Sequence, residues 1–339
     1  MNSSNNNKKN NFIIAGFVAV LLVILAVILI WGMTKKTSGK GEQIVTDTEE
    51  DTEVKEKWQE GTISYNGKQY RYNSNLRSYL YMGIDNDGKV SVSEDQTKGG
   101  QSDALFLLVV DQKEQKMSVL AIHRNTMTDV EVCDEDGKSL GTHTLQICLQ
   151  HGFGDGGRLS CTRTMDAVSR LLYKLPIAGY LSLNMGGIPQ LNDAVGGVTV
   201  DVLQDLENPE RGVSLKEGET VTLNGDEAYT YLRSRDTDEF DSASKRLSRE
   251  MQYIGNFMQQ ARSLGVSKAV EIYNSASDYM VTNIDFARLA EELFTCEFDP
   301  ETDMYSIPGE VTMGEEYEEY HVDEEALYEM IIDLFYEPV

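Results

Sequence analysis

Four arginines lie within seventeen residues of this chain, at Arg233, Arg235, Arg246 and Arg249. Like charges at this density repel one another unless an anion or nearby carboxylates neutralise them. Guanidinium groups are planar and donate paired N–H bonds that match phosphate oxygens, so the cluster indicates a phosphorylated ligand. The alternative is a set of surface salt bridges with the acidic side chains between residues 236 and 241.

Overall charge narrows the class of partner. The chain has 339 residues and a formal net charge of −26. Proteins bind nucleic acids by neutralising backbone phosphates with Lys and Arg, so a chain this acidic is repelled by them. We therefore expect no nucleic-acid partner, despite the local arginines.

An apolar run near the start of the chain predicts a membrane anchor. Residues 12–33 contain no charge and are dominated by Ile, Leu, Val and Ala. At 1.5 Å per residue, such a run spans a hydrocarbon core of ~30 Å. It is too long for a cleaved signal peptide, and residues 31–35 offer no small-residue cleavage site. We predict a short cytoplasmic tail at 1–11 followed by a transmembrane helix at 12–33.

Lysines flank the anchor on both sides and do not decide its orientation. A short tail before a large domain favours export, which would give a single-pass protein of the cell membrane with an extracellular globular domain. Residues 34–60 are polar and predict a flexible acidic linker. As a flexible coil, this linker would span about 25–30 Å. It would therefore keep the domain at 61–339 near the lipid headgroups, where the domain could contact a lipid-linked substrate.

Cysteine usage gives one further expectation. The four cysteines include no C-x-x-C pair, which argues against a zinc site. In an exported domain, Cys148 and Cys161 are placed to close a loop of twelve intervening residues, and we predict a disulfide between them. Buried free thiols are the alternative.

Apolar runs and periodicity outline an α/β domain. Near-continuous apolar segments predict buried strands at Tyr79–Ile84, Ala104–Val110, Met117–Ile122, Tyr180–Leu183, Val198–Val202 and Met304–Ile307. Apolar residues at spacings of three and four predict helices at Thr164–Leu175, Ala243–Leu264, Val281–Phe294 and Asp323–Phe335. The last two helices would form a C-terminal helical extension.

Several short motifs occur in a fixed order along the domain. They are Tyr81–Asp85, Gly100–Leu105, Ile122–Thr126, Leu191–Val200, Leu223–Ala228, Tyr231–Arg235 and Lys245–Glu250. Each is short, but their order and spacing behind one N-terminal anchor resembles the LytR–CpsA–Psr family of membrane-anchored phosphotransferases. The chain departs from the family pattern at Asn125, where the family has Asp, at Glu250, where it has Gln, and at His123, where it has Pro.

This resemblance implies a layered α/β/α domain with a central mixed sheet, preceded by one transmembrane helix. It also implies transfer of a glycopolymer (teichoic acid, capsule or another secondary wall polysaccharide) from a polyprenyl-pyrophosphate carrier to peptidoglycan. The setting would be cell-wall biogenesis at a Gram-positive membrane. The alternative is a non-catalytic surface or regulatory protein that binds polyprenyl phosphate, which Asn125 favours.

The resemblance also implies roles for individual residues. Asp85 and Asp103 would hold Mg²⁺ or Mn²⁺, since hard oxygen ligands suit these ions. The pyrophosphate would be held by Arg124, Arg233, Arg235, Arg246 and Arg249. The catalytic set would be Asp85, Asp103, Arg124, Arg235 and Arg246.

Placement of these residues is the last expectation. Arg233 and Arg235 are expected on one face of a strand, and Arg246 and Arg249 on one face of a helix. All five arginines would meet at the mouth of an apolar pocket. Asp85 and Asp103, as carboxylates at strand ends, are expected to contribute little to stability.

Overall fold

The computed structural model describes residues 62–236 and 238–339. The predicted tail, membrane anchor and linker, residues 1–60, lie outside the described residues. Within the described part, no helix is both long and apolar enough to cross a bilayer.

The described residues form strands and helices that alternate along much of the chain. The strands are β1 (Thr62–Tyr65), β2 (Lys68–Tyr72), β3 (Leu76–Ile84), β4 (Ser102–Asp111), β5 (Lys116–Ile122), β6 (Met127–Cys133), β7 (Ser139–Gln146), β8 (Gly179–Asn184), β9 (Val198–Asp201), β10 (Leu206–Asn208), β11 (Val213–Leu215), β12 (Thr220–Leu223), β13 (Met280–Thr282), β14 (Met304–Ser306), β15 (Gly309–Met313), β16 (Glu318–Val322) and β17 (Tyr336–Pro338). The α-helices are α1 (Arg158–Leu171), α2 (Ile188–Ala194), α3 (Gly225–Arg233), α4 (Ser242–Ser263), α5 (Val266–Ala276), α6 (Phe286–Thr295) and α7 (Glu324–Phe335).

Six strands form a central mixed sheet in the order β13-β8-β3-β4-β5-β14. The β3–β8 and β5–β14 pairs are parallel, and the β3–β4, β4–β5 and β8–β13 pairs are antiparallel. The predicted strands at residues 79–84, 104–110 and 117–122 are confirmed as β3, β4 and β5, three adjacent strands of the sheet. Their continuous apolar sequences follow from burial on both faces of the sheet.

Helices cover both faces of this sheet, as the α/β/α expectation requires. Alternate residues of β4 divide between the two apolar layers. Leu105 and Leu107 belong to the same buried cluster as Val168 of α1 and Ile331 of α7. Phe106 and its alternating neighbours belong to a layer that α4 and α6 cover.

A second apolar cluster lies beside the sheet and positions part of the arginine segment. It is built from α2, α3 and the small β9–β12 and β10–β11 pairs. Tyr253 and Phe257 of α4 pack against this cluster, whereas Leu247, Met251 and Ile254 of the same helix pack against the sheet. Helix α4 therefore joins the two clusters and presents Arg246 between them.

The C-terminal part contributes strands as well as helices. Strands β13 and β14 form the two edges of the central sheet, and β17 pairs with β2. The predicted helix at residues 281–294 is wrong over its first turn, because Val281 pairs with Ser182 in the sheet. The helix begins only at Phe286, where the side chain of Asp285 accepts a bond from the Arg288 N–H as an N-cap.

The predicted strand for Arg233 and Arg235 is also wrong. Arg233 is the last residue of α3, and Arg235 lies in the extended segment that follows. A capping box starts this helix: the Asn224 side chain accepts bonds from the Asp226 and Glu227 N–H groups, and the Glu227 side chain accepts from the Asn224 N–H. The backbone is therefore helical at Arg233 and extended at Arg235, so the two side chains do not share one strand face.

The predicted disulfide between Cys148 and Cys161 is wrong as well. Both are buried free thiols. Cys148 lies in a 3-10 helix over Ile147–Gly152, whereas Cys161 lies in α1. The Cys161 thiol donates to Ser182 Oγ at 3.4 Å and lies 3.8 Å from His151 Nε2. The Cys148 thiol instead lies 3.9 Å from Gln146 Oε1, so the two sulfurs face different partners.

Candidate functional site

A β-bulge lies at the end of the central sheet where β3 ends and β4 begins. Gly83 pairs with Ala104 and Ile84 with Ser102, which leaves Asp103 as the extra residue of β4. Beyond the bulge, the Asp85 N–H donates to the Gln101 carbonyl at 3.0 Å. Bulges re-aim side chains, and this one turns Asp103 towards α4 while Asp85 stays at the same end of the sheet.

Asp103 is the centre of a buried ion cluster. Its Oδ1 accepts from Arg124 Nε at 3.0 Å, and its Oδ2 accepts from Arg246 Nη1 at 2.9 Å. The Asp103 and Arg246 side chains are 9% and 5% exposed. Burial alone would raise the pKa of Asp103, but the two guanidinium groups lower it, so the carboxylate stays ionised. We call Asp103, Arg124 and Arg246 the inner cluster.

Arg124 is held by three further contacts. Its Nη2 lies 2.9 Å from Asp103 Oδ1 and donates to Gln101 Oε1 at 2.5 Å, and its Nη1 donates to Asn125 Oδ1 at 2.9 Å. Asn125 is 2% exposed. A neutral amide in this place satisfies the guanidinium without adding a second negative charge. Because of the departure from the family pattern at Asn125, the surroundings of Arg124 carry one negative charge fewer than they would with an aspartate at this position.

Arg235 differs from the other arginines because its donors are available. Within the part of the chain that the structure describes, it makes neither a hydrogen bond nor an ion pair. Burial lowers the pKa of Arg235, and the positive charges of Arg124 and Arg246 lower it further. A half-buried guanidinium beside two others and without its own carboxylate is the best placed of the five to take up an anion.

Arg233 and Asp85 form a separate and more open pair. Arg233 Nη2 donates to Asp85 Oδ1 at 3.1 Å, and the two side chains are 45% and 44% exposed. The Arg233 guanidinium also lies 6.0 Å from the centroid of the Tyr229 ring. We call Arg233 and Asp85 the outer pair.

Arg249 does not reach the site, which corrects its predicted role in pyrophosphate binding. It is 1% exposed, and its Nη2 donates to the Ser234 carbonyl between Arg233 and Arg235. Burial lowers the pKa of Arg249 to about 10. Its position one turn after Arg246 brings it beneath the extended segment, where it braces the backbone that carries Arg235.

Two buried side chains near the cluster were not assigned to the site from the sequence. Glu250 Oε1 lies 3.4 Å from Arg246 Nε, and burial raises the pKa of Glu250 to about 7. His123 stacks on Tyr320 and accepts at Nδ1 from the Asn125 N–H at 3.2 Å. Burial lowers the pKa of His123 to about 4, so the ring is neutral at pH 7.

An incompletely buried apolar layer begins directly behind the inner cluster. Tyr81 and Ala104 of the sheet, and Leu247 and Met251 of α4, are only partly buried there. The Tyr81 hydroxyl is inaccessible to solvent and has no hydrogen-bond partner among the described residues. This layer is the part of the described structure that corresponds best to the expected apolar pocket.

A cavity of about 240 Å³ lies elsewhere and is not that pocket. Its lining includes Leu76 and Asp111, the first residue of β3 and the last of β4, and none of the five arginines. Because β3 and β4 are antiparallel, this cavity is at the opposite end of the two strands from Asp85 and Asp103.

The carboxylates differ in their suitability for a metal ion. Among the described residues, no group of three or more His, Cys, Asp or Glu side chains could hold one. Mg²⁺ often uses one or two carboxylates and completes its shell with water and substrate phosphates. The half-exposed carboxylate of Asp85 fits that use. Asp103 is occupied by two guanidinium groups, so the predicted pairing of Asp85 and Asp103 around one ion does not fit this arrangement.

Known structures share this fold. TagV of Bacillus subtilis superimposes with a TM-score of 0.60 and 24% identity, over 77% of this chain and 96% of that chain. TagT bound to LI-WTA superimposes with a TM-score of 0.55 and 18% identity, over 77% of this chain and 89% of that chain. Both likenesses concern the fold, a mixed central sheet covered by helices.

The sequence comparison then gives the family. Residues 33–334 match the model of the LytR_cpsA_psr family, and the chain belongs to that family. One relative is the polyisoprenyl-teichoic acid–peptidoglycan teichoic acid transferase TagU of Halalkalibacterium halodurans, 30% identical over 61% of this chain. The match covers 60% of that relative's length. The resemblance identified from the motifs is thereby confirmed.

Proposed function

We propose that this protein transfers a glycopolymer from a polyprenyl-diphosphate carrier to peptidoglycan. The observation that carries the proposal is the convergence of Arg124 and Arg246 on the buried Asp103, with the unpaired Arg235 beside them. The names of relatives such as TagU support the reaction class. The alternative of a binding protein without turnover remains the second reading of the same site.

Charge at the inner cluster suits a diphosphate. Arg124 and Arg246 contact the ionised carboxylate of Asp103, and Arg235 lies near them without a carboxylate of its own. Fixed donors in a site with little water stabilise developing negative charge more strongly than they would in bulk solvent. The same donors would hold the diphosphate in the ground state and neutralise the charge on the departing phosphate.

The adjoining apolar layer suits the lipid part of the carrier. An isoprenoid chain gains free energy by leaving water, at roughly 25 cal/mol per Å² of apolar surface buried. Partly buried side chains such as Leu247 and Met251 lie directly beyond Arg246 on the same helix. A carrier with its diphosphate at the arginines and its chain between α4 and the sheet would use both features.

The reaction is a substitution at phosphorus. A hydroxyl oxygen of the acceptor glycan forms a bond to the phosphorus nearer the polymer, and the bond from that phosphorus to the bridging oxygen breaks. The lipid leaves as a monophosphate, which accepts the proton that the hydroxyl loses. Positioning and electrostatic stabilisation account for most of the catalysis in such transfers.

Mg²⁺ or Mn²⁺ belongs to this proposal through Asp85. A bound divalent ion would neutralise phosphate oxygens. Asp85 would hold it from the half-exposed outer pair, after exchanging the guanidinium of Arg233 for the ion. Arg233, in the same outer pair, would contribute positive charge for the substrate phosphates. The proposal also includes a single-pass membrane location, as predicted from residues 12–33, with the domain outside the cell, as predicted from the short tail at 1–11 before a large domain.

Transfer by the full-length protein in liposomes tests this proposal. The substrates are a lipid-diphosphate-linked teichoic acid precursor and isolated peptidoglycan. We expect polymer to become linked to the peptidoglycan and lipid monophosphate to be released. Arg235→Ala should weaken binding of polyprenyl diphosphate at least tenfold, since one charge-assisted hydrogen bond contributes about 1.5–3 kcal/mol.

Arg211→Ala is the matched control. Arg211 is an ion-paired surface arginine, 2.5 Å from Asp226. Its loss should leave both binding and transfer unchanged. Lipid binding without polymer transfer would favour the non-catalytic alternative, and unchanged binding by Arg235→Ala would contradict the assignment of the site.

A further inference from the structure

Glu250 contacts the inner cluster from behind. It lies on α4 one turn after Arg246 and is 4% exposed. Its Oε1 lies 3.4 Å from Arg246 Nε, while both terminal nitrogens of the same guanidinium face Asp103. Arg246 is therefore shared between two buried carboxyl groups that contact it along different edges.

The charged groups around Glu250 oppose one another. Arg246 and Arg249 from α4, and Arg124 from the end of β5, favour its ionised form, and Asp103 from β4 disfavours it. Burial is the largest influence and raises the pKa of Glu250 to about 7. Both protonation states are thus populated near neutral pH.

We propose that Glu250 acts through Arg246 as a positioning residue that couples diphosphate binding to the uptake of a proton. This inference rests on the proposed function. When Glu250 is ionised, two carboxylates compete for Arg246. When Glu250 is protonated, only Asp103 remains, and more of the positive charge of Arg246 is available to a phosphate.

Coupling of this kind is reciprocal. A bound anion disfavours a second negative charge behind Arg246, so it raises the pKa of Glu250 and a proton enters from solvent. Binding should consequently be tightest where Glu250 is protonated and weaker where it is ionised. The family pattern has Gln at the position of Glu250, and Gln cannot titrate. This coupling to a proton therefore depends on a residue at which this chain departs from the pattern.

The experiment compares the wild-type full-length protein with Glu250→Gln and Glu292→Gln. Dissociation constants for inorganic diphosphate are measured between about pH 6 and pH 8. Wild-type affinity should fall about three- to tenfold as pH rises through about 7, relative to Glu250→Gln, since a tenfold change corresponds to one pKa unit of coupling. Titration of diphosphate itself is common to all three proteins and cancels in the comparison.

Glu292→Gln is the matched control. Glu292 is a second buried carboxyl group with a raised pKa, but it accepts from the Tyr79 hydroxyl and makes no contact with the inner cluster among the described residues. Its variant should follow the wild type. Parallel profiles for wild type and Glu250→Gln would overturn the inference, whereas absence of diphosphate binding by any of the proteins would overturn the proposed function as well.

A measurement on the wild type alone guards against misfolding of the variant. Sulfate does not titrate in this pH range, so its binding to the arginines can change protonation only in the protein. In weakly buffered solution near pH 7.5, we expect sulfate to cause uptake of part of a proton per protein. Binding of sulfate without proton uptake would overturn the inference.

Discussion

The inner cluster and the outer pair place the same residue types, Asp and Arg, at one end of the central sheet. They bury these residues to different extents. In the inner cluster, Asp103 and Arg246 are 9% and 5% exposed. In the outer pair, Asp85 and Arg233 are 44% and 45% exposed. Buried ions depend on one another, because an unpaired charge in the interior is costly, whereas exposed ions are stabilised by water. Removal of one partner should therefore have very different effects in the two regions.

The largest expected effect comes from Asp103→Ala. It would remove the carboxylate that two buried guanidinium groups share, leaving Arg246 only Glu250 as a carboxyl partner among the described residues. Loss of one partner from a buried ion cluster typically costs about 3–5 kcal/mol of folding free energy. Asp85→Ala should cost at most about 1 kcal/mol. Urea denaturation at neutral pH, followed by circular dichroism, measures both. Similar losses for the two variants would contradict the division into inner and outer regions. The expectation that both carboxylates matter little to stability is thus retained only for Asp85.

The next effect concerns stability and pH at Glu250. Its pKa is raised from the ordinary 4.5 to about 7 in the folded protein. This raised pKa contributes stability fully below about pH 4.5, and the contribution is lost as pH rises through about 7. Glu250→Gln should therefore gain stability relative to wild type across that window, by up to about 3 kcal/mol. Denaturation curves at several pH values test this, and a constant difference would contradict the buried location of Glu250.

The smallest effect is expected at the outer pair. Arg233→Ala removes a half-exposed ion pair, and its folding free energy should change by less than about 1 kcal/mol. Because exposed charges are screened by salt, even this difference should shrink at about 1 M NaCl. The same salt series on Arg246→Ala should leave most of its larger loss intact. A salt-insensitive effect at Arg233 would show that the outer pair is more buried than the structure indicates.

Much of the fold could be predicted because its strands and helices carry strong local patterns. The buried strands of the sheet read as continuous apolar runs, and α4 reads as a long helical stripe. A strand was predicted at Arg233 because Tyr231 and the alternating arginines suit a strand locally. The prediction failed because this segment is the end of α3. The capping box at Asn224 and Glu227 was the available signal for a helix.

Prediction of the site was less complete, since it depends on contacts between distant parts of the chain. Motif order brought Asp103, Arg124 and Arg246 together correctly. The bulge that turns Asp103 towards α4, and the burial of Arg249 and Glu250, depend on packing that no local pattern specifies. The disulfide failed for a similar reason: spacing along the chain does not determine where two thiols point.

The position of β13 and β14 at the two edges of the sheet affects how the polypeptide is made. Synthesis proceeds from the N-terminus, so β8 and β5 emerge long before the strands that cover them, at residues 280–282 and 304–306. Until then, each presents unpaired backbone groups that can pair with a neighbouring nascent chain. A ribosome that stops before residue 306 would release a chain with an open edge at β5. Such truncated chains should aggregate, and a chaperone that shields this edge until residues 304–306 have paired would protect the full-length product.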